Sequence, residues 1–185
     1  MFIKTLTATG IVLAFGTFVA AAPPVPRPAA ELAITEPSGK QSLLSEYRGN
    51  VVIVQFLYTT CSHCAATARM FTKLQSELGS RGLRVVGLTF NEEAQRGPQA
   101  VRDFITRNQV GFPVGVAARD KALEYLGLSV MSQFGVPQVL IIDRAGVIRA
   151  QSEPRGSAEL QDEALLRPLL DKLLNEPSTV SQVRK

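Results

Sequence analysis

Two cysteines stand three positions apart in this 185-residue chain, in the tetrapeptide Cys61-Ser62-His63-Cys64. A nearly continuous run of β-branched and aromatic residues (51–58) precedes them, and a helical pattern begins directly after them. At a strand-to-helix turn, the free N–H groups and the positive end of the helix dipole favour a thiolate at Cys61. Cys64, one turn further on, can reach the Cys61 sulfur. The spacing therefore predicts a dithiol/disulfide couple in which Cys61 attacks and Cys64 resolves the mixed disulfide.

Other uses of the two cysteines fit the sequence less well. A disulfide that closes so short a loop would gain only about 2 kcal/mol from loop entropy, so a structural cross-link would rather join distant segments. With two Cys and one His in the chain, a Cys₄ or Cys₂His₂ zinc site cannot be assembled, and we expect no metal and no cofactor. The single histidine, His63, is predicted to stabilise the Cys61 thiolate by its positive charge and so to make the couple more oxidising. The alternative is that His63 points to solvent and has little effect.

A second signal lies far from the cysteines, in Gly135-Val136-Pro137. Pro137 directly precedes an apolar run, and a strand tolerates proline at its start. If the preceding peptide bond is cis, the Val136 backbone faces outward and can pair with an extended substrate segment. Val136 and Pro137 are therefore predicted substrate-binding residues.

The elements that must position these residues alternate between strand and helix patterns. Apolar runs predict strands over 51–58, 83–90 and 138–143, with a turn at 144–146 leading into a strand at 147–150. Helical spacing predicts helices over 43–47, 62–78, 98–108, 120–126 and 160–174. Strands separated by helices favour parallel pairing, and the late hairpin adds an antiparallel edge. The predicted fold class is α/β, a central mixed sheet with helices on both faces.

The two ends of the chain differ in composition from its middle. Residues 1–22 combine Lys4, an apolar segment and a closing Ala-Ala-Ala, which is the pattern of a cleavable signal peptide and predicts a periplasmic or other extracytoplasmic location. An uncleaved N-terminal anchor is the alternative. Residues 23–31 predict a proline-rich linker outside the core, residues 32–174 a single packed domain, and residues 175–185 a flexible polar tail.

Composition and charge exclude several classes of protein. A chain with 45% hydrophobic and 19% charged residues is not disordered throughout. The net charge of +4 is spread without a basic cluster, so we expect no nucleic-acid partner. No later stretch is long and apolar enough to span a bilayer, so we expect no stable membrane insertion once the signal is removed. Nothing suggests an extended dimerisation helix, and we expect a monomer.

These motifs together resemble the thioredoxin fold and, within it, the TlpA/ResA-like branch of secreted thiol–disulfide oxidoreductases. The resemblance covers roughly residues 32–174. It rests on the closing helix and on the segments VVIVQFLYTTCSHC, LRVVGLTF and YLGLSVMSQFGVPQVLIIDRAGVI. The resemblance implies that Cys61 is the nucleophile, Cys64 the resolving thiol and Pro137 a cis-proline beside them, and that residues 91–118 form a helix-and-strand insertion. It also implies cysteine-containing protein substrates and a partner that recycles the couple.

The chain departs from the family pattern around the cysteines. Thr60 stands where the family has Trp, His63 where it has Pro, and Thr67 where an acidic residue is common; Gln55 replaces the buried acid of thioredoxin. The usual proton-handling carboxylates are therefore missing, although Glu92–Glu93 could approach the site from the end of the second strand. His63 resembles the oxidising DsbA-type motif, whose long helical insertion this chain lacks. The direction of electron flow stays open.

Two alternative functions use a related fold. A peroxiredoxin-type peroxidase carries Thr three residues before its peroxidatic cysteine, whereas here Tyr58 precedes Cys61 and Cys61 itself precedes Cys64 by that distance. A Sco-like copper chaperone uses a CxxxC motif and a distant histidine, whereas here the motif is CxxC and no distant histidine exists. Both patterns fit this sequence less well than thiol–disulfide exchange does.

Overall fold

A mixed β-sheet organises the chain, in a computed structural model that describes residues 22–177. Its strands are β1 (Arg27–Pro28), β2 (Ala33–Thr35), β3 (Gln41–Leu43), β4 (Val51–Leu57), β5 (Leu83–Thr89), β6 (Val114–Val116), β7 (Gln138–Ile142) and β8 (Val147–Gln151). Across this described part, the strands lie in the order β1-β8-β7-β4-β5-β6-β2-β3. Strand β4 therefore lies between β7 and β5, inside the sheet and not at its edge. The cysteine pair follows this strand in the chain.

Helices cover both faces of this sheet. They are α1 (Ser62–Leu78), α2 (Glu92–Gln95), α3 (Gln99–Asn108), α4 (Arg119–Leu126), α5 (Ala158–Gln161) and α6 (Glu163–Asn175), with short 3₁₀ helices at Leu44–Tyr47 and Gly79–Arg81. The apolar residues of α1, α3 and α6 form one core cluster with the sheet. Those of α4 form a second cluster on the opposite face, together with Leu32 and Leu44. The two clusters hold the sheet between them, so its central strands are buried on both sides.

The burial of strand β4 explains why its sequence is apolar at every position except Gln55. Successive side chains alternate between the two faces, with Ile53 and Leu57 in the α1 cluster and Val54 and Phe56 in the α4 cluster. All seven residues of the strand are buried. By the same alternation Gln55 faces the α1 side, so one polar side chain lies under the helix that carries the cysteines.

The predicted α/β fold class is confirmed, and α1 has the bounds that the sequence predicts. The pairing β4–β5 is parallel as expected. The pairing β4–β7 is antiparallel, contrary to the expectation drawn from the helices between them. Residues 91–118 contain α2, α3 and β6, the insertion that the resemblance implied. The predicted helix 160–174 is divided, because the Asp162 side chain accepts a hydrogen bond from the N–H of Ala164 (2.8 Å) and so begins a new helix there.

The proline-rich segment 23–31 differs from its prediction as a linker outside the core. Arg27 pairs with Ile148 and Pro28 with Val147, so β1 covers the edge of β8. The N–H of Ala29 donates to the carbonyl of Gly146 at 2.9 Å. Extended backbone suits an edge strand, where proline costs no ladder bond if its missing N–H would face solvent. The hairpin β7–β8 is consequently not the edge that the sequence predicted.

The predicted signal peptide, apart from Ala22, and residues 178–185 of the predicted tail lie outside the described residues. Between residues 22 and 177, no helix combines the length and the apolar character needed to cross a bilayer.

Candidate active site

Cys61 occupies the N-cap position of α1, at the point where the chain leaves the sheet. Its backbone is extended (φ −88°, ψ 118°), and its sulfur accepts a hydrogen bond from the N–H of Cys64 at 3.1 Å. A sulfur atom thus takes the place of the usual capping oxygen and satisfies one of the unpaired N–H groups of the first turn. Because that N–H donates to the sulfur, it stabilises a thiolate more than a neutral thiol.

Cys61 and Cys64 form a disulfide, with their Cα atoms 5.2 Å apart. Their exposures differ, since Cys64 is fully buried (0%) and Cys61 is half-buried. A partner molecule can therefore reach the Cys61 sulfur but not the Cys64 sulfur. The structure brings together the two cysteines that the sequence predicted, and their burial fits the predicted order of attack and resolution.

Val136 lies against the cysteine pair from the other half of the sheet. Its carbonyl oxygen is 3.7 Å from the Cys61 sulfur. The Val136–Pro137 peptide bond is cis, as the resemblance implied. Val136 is half-buried and Pro137 is buried. The predicted substrate-binding residues thus adjoin the reachable sulfur, and the Val136 backbone forms one wall of the site.

The segment that carries Val136 is held by Gln138, a residue the sequence analysis did not single out. The two N–H groups of the buried Gln138 side-chain amide lie within hydrogen-bonding distance of three carbonyls, those of Gly135 (2.8 Å), Pro154 (3.0 Å) and Glu153 (3.1 Å), so one of them is shared. The N–H of Gly135 donates in turn to the Pro154 carbonyl at 2.8 Å. These bonds join the loop before β7 to the segment after β8, and so anchor the residues on either side of Val136.

A second positioning residue, Asn91, fixes the loop that leads into Cys61. Its side-chain oxygen accepts from the N–H of Thr59 (3.3 Å) and the hydroxyl of Thr89 (2.6 Å), and its nitrogen donates to the Thr59 hydroxyl (3.0 Å) and to Glu93 (2.6 Å). Hydrogen bonds from its own N–H and from the Asn91 amide hold the pKa of Glu93 below its usual value. Glu93 therefore reaches the Thr59 loop through Asn91, while Glu92 forms an exposed ion pair with Arg96.

A cluster of aromatic rings adjoins the loop that leads into Cys61. Tyr58 and Phe90 contact edge to face, with ring centroids 4.9 Å apart. Arg119 lies over the Phe134 ring, 5.5 Å from its centroid, and donates to the Tyr58 hydroxyl at 2.8 Å. Phe134 immediately precedes Gly135, so this cluster connects the Cys61 loop to the Val136 segment.

Gln55 is the polar side chain that lies beneath Cys64. Its nitrogen donates to the Cys64 carbonyl at 3.0 Å, and the residue is fully buried. Its side-chain oxygen has no hydrogen-bond partner among the described residues. A neutral amide therefore holds the first turn of α1 in the position where thioredoxin places an acid.

His63 lies in the first turn of α1 with its side chain exposed. Across residues 22–177, no hydrogen bond or ion pair of its imidazole occurs. His63 adjoins Cys64 in the chain, and without such a bond its predicted tuning of Cys61 depends on the charge of the imidazole alone. Its predicted tuning role stays a prediction.

Comparison with known proteins decides the family. The model of the AhpC/TSA family matches residues 25–151, which is more than half of the chain. The chain belongs to the AhpC/TSA family. The matched range includes the cysteine pair, the Val136 segment and both positioning residues, so the site lies within the part that this family shares.

Relatives of this AhpC/TSA chain bear the names of redox proteins. It is 30% identical over 112 residues to the thioredoxin-like protein YneN of Bacillus subtilis, covering 60% of this chain and 61% of that protein. It is 24% identical over 135 residues to the thiol–disulfide oxidoreductase ResA of Bacillus thuringiensis, covering 71% of each. The chain therefore spans about three fifths of the length of YneN. The predicted resemblance to the ResA-like group is confirmed.

The thioredoxin-like fold is confirmed by solved structures. The thioredoxin domain of a thiol–disulfide oxidoreductase from Bacteroides vulgatus superposes with a TM-score of 0.64, covering 80% of this chain and 96% of that one. The two are 18% identical, so this likeness shows the shared fold alone.

Proposed function

We propose that this AhpC/TSA-family chain is a thiol–disulfide oxidoreductase that exchanges disulfides with cysteines of other proteins. The observation that carries the proposal is the unequal pair: a half-buried Cys61 capping α1, bonded to a fully buried Cys64. This arrangement gives one attacking and one resolving sulfur. The names of YneN and ResA support the same activity.

The exchange follows from the two sulfurs in turn. In the reduced protein, the Cys61 thiolate attacks one sulfur of a substrate disulfide, and the other substrate sulfur leaves as a thiolate that takes up a proton. The Cys64 thiol then loses its proton and attacks the Cys61 sulfur, which releases the second substrate sulfur and leaves the Cys61–Cys64 disulfide. Two electrons pass to the substrate, and the reverse sequence oxidises a substrate dithiol.

The N-terminus of α1 contributes to both directions. The Cys64 N–H that donates to the Cys61 sulfur stabilises negative charge there, whether Cys61 attacks or leaves. The backbone of Val136 adjoins that sulfur and is proposed to bind the substrate chain in an extended conformation. The substrate would thus lie across the Cys61 sulfur with its own disulfide held against it.

The location and partners are part of this proposal. The signal-peptide pattern of residues 1–22 supports an extracytoplasmic or periplasmic location, and the intact mass of the chain recovered from a bacterial envelope would report a cut after Ala22. Each exchange leaves the Cys61–Cys64 pair in the opposite oxidation state, so a second redox protein is required to return the pair to its starting state. Cysteine-containing proteins and this recycling protein are the proposed partners.

Substitution of each cysteine tests the function directly. We expect Cys61→Ser to abolish reduction of a peptide disulfide, because the remaining cysteine, Cys64, is buried and cannot reach the peptide. We expect Cys64→Ser to accumulate a mixed disulfide between Cys61 and the peptide, visible by mass spectrometry. The matched control is Ser80→Ala, an exposed serine in the 3₁₀ helix (Gly79–Arg81) that follows α1, which should exchange as the wild type does.

Two outcomes would contradict the proposal. A Cys64→Ser protein that turns over at the wild-type rate would remove Cys64 from the reaction. A wild-type protein that consumes hydrogen peroxide rapidly but exchanges with no peptide disulfide would favour the peroxidase alternative.

A further inference from the structure

An open cleft adjoins Cys61 on the side between α1 and α3. Cys61, Ala65 and Arg69 follow one another at four-residue spacing and so line one wall along a single face of α1. Arg107 and Asn108, at the end of α3, line the opposite wall. The cleft is wide open to solvent, with a volume of about 510 Å³, so it suits a segment of polypeptide chain better than an enclosed small molecule. We call it the Cys61 cleft.

Both arginines of the Cys61 cleft are held by uncharged groups. Arg69 donates to the side-chain oxygen of Asn108 at 2.8 Å, and Arg107 donates to the backbone carbonyl of Asp103 at 3.2 Å. Within residues 22–177, neither arginine takes part in an ion pair. Lys73, one turn further along α1, shows the contrast, because it pairs with Glu163 at 3.0 Å. Two arginines without an ion-pair partner among these residues therefore face the same cleft as the reactive sulfur.

We propose that the Cys61 cleft selects polypeptide substrates that carry Asp or Glu a few residues from the reacting cysteine. The inference rests on the proposed thiol–disulfide exchange and names the substrate class of that same site. Arg69 and Arg107 bind the carboxylate while Cys61 attacks the neighbouring disulfide. Arginine suits this role because its planar guanidinium can bind a carboxylate through two parallel hydrogen bonds.

The spacing along α1 sets where the acidic residue lies. Arg69 lies eight positions after Cys61, which is about 12 Å of helix at roughly 1.5 Å per residue. An extended peptide covers about 3.3 Å per residue, so the carboxylate lies three or four residues from the substrate cysteine. The Val136 carbonyl oxygen lies 3.7 Å from the Cys61 sulfur, and Val136 is not among the residues that line the Cys61 cleft. A chain that crosses the sulfur therefore runs from the Val136 backbone to the two arginines.

A pair of peptides that differ only in charge tests the proposal. Each peptide has one cysteine coupled to 2-thiopyridine, with either Glu or Lys at the third and fourth positions on both sides. The pre-reduced protein is mixed with each peptide, and release of the neutral thiopyridone gives the rate. Since an exposed ion pair is typically worth a factor of about 1.4 to 5, we expect the Glu peptide to react roughly three to ten times faster at low ionic strength.

Arginine variants show whether the cleft causes this preference. We expect Arg69→Gln and Arg107→Gln each to reduce the preference by a factor of about two to three, and the double variant to remove most or all of it. The matched control is Arg102→Gln on the same helix α3. Arg102 is exposed, bonds to the uncharged carbonyl of Pro37 and lies outside the cleft lining, so its loss changes the net charge equally but should leave the preference intact.

Each contrary result has a distinct meaning. Equal rates for the two peptides, or an Arg102→Gln effect as large as that of Arg69→Gln, would overturn the proposal while leaving thiol–disulfide exchange in place. The proposal would also be overturned if the arginines were needed for reduction of glutathione disulfide while peptides of both charges were reduced equally. The cleft would then bind a small anionic disulfide. Failure of the wild type to release thiopyridone from either peptide would instead contradict the proposed function itself.

Discussion

The two sulfurs of the pair differ in what surrounds them. The Cys61 sulfur accepts a hydrogen bond from a helix N–H and lies beside a cleft lined by two arginines. Cys64 is fully buried over the neutral Gln55 amide, where a thiolate would lose its solvation. Negative charge is therefore favoured at Cys61 and opposed at Cys64. The difference arises from burial and hydrogen bonding, since the two side chains are chemically identical.

His63 stands between the two cysteines in the sequence, and its charge is expected to raise the reduction potential of the couple. His63→Pro should make the couple more reducing by about 30 to 60 mV, because loss of the imidazolium removes stabilisation of the Cys61 thiolate, and each 30 mV is a factor of about ten in the equilibrium constant. Proline is tolerated at this position in the first helical turn, where the backbone N–H has no partner within the helix. Equilibration in graded glutathione buffers measures the potential.

Two further variants separate charge from backbone effects. His63→Gln removes the charge and keeps the N–H, so it should shift the potential in the same direction. Lys121→Gln removes a positive charge on α4, where Lys121 pairs with Glu124, and should leave the potential unchanged. An unaltered potential in both His63 variants would make His63 a bystander.

The residues that react could be predicted from the sequence, but the residues that position them could not. Cys61 and Cys64 are recognisable because their spacing and the following helix are local features. Asn91 acts on Thr59 across 32 positions, and Gln138 acts on carbonyls 15 and 16 positions away. An isolated Asn or Gln has no periodic pattern to mark it. Their roles depend on tertiary contacts that only the folded chain supplies.

Among the elements, the apolar pattern predicts the long periodic ones but not the three-residue strands, of which only β6 was expected, from the resemblance and not from its own residues. Helix α1 and strands β4 and β5 carry enough residues for the apolar pattern to identify them. Strands β2, β3 and β6 have three residues each, and they are strands because of the partners beside them. The proline-rich segment before Leu32 differs from its predicted linker character for the same reason, since extended backbone becomes a strand only where an edge is available.

The docking of that segment should contribute to stability. In addition to its pairing with β8, the hydroxyl of Tyr125 donates to the Ala30 carbonyl at 3.1 Å, and burial raises the pKa of Tyr125 to about 12. A chain that begins at Leu32 should therefore lose about 1–3 kcal/mol of unfolding free energy relative to one that begins at Ala22, at roughly 0.5–1.5 kcal/mol per lost hydrogen bond. Urea unfolding measures the difference.

A chain that begins at Arg27 is the matched control, because it is shortened but keeps β1. Its unfolding free energy should stay close to that of the chain from Ala22. If all three chains unfold at the same urea concentration, the segment is a free linker in solution, as its composition alone predicted.

On the scale of the whole molecule, we expect the fold not to depend on the disulfide. The sheet is covered on both faces by apolar clusters, and the Cys61–Cys64 bond joins residues only three positions apart at the end of one strand. A loop this short restricts the unfolded chain little, which limits its entropic contribution to about 2 kcal/mol. The molecule can therefore open and close this bond without losing its structure, as repeated exchange requires.

Reduction should accordingly leave a cooperatively folded protein. We expect the unfolding free energies of the oxidised and reduced forms to differ by less than about 2 kcal/mol, measured by urea unfolding with and without reductant. The Cys61→Ser/Cys64→Ala double variant is the control, because it cannot form the bond and its unfolding should not respond to reductant. A reduced protein that loses cooperative unfolding, with the double variant equally unfolded, would make the bond a structural cross-link. The core would then depend on the disulfide, and exchange at Cys61 would unfold the protein in every cycle.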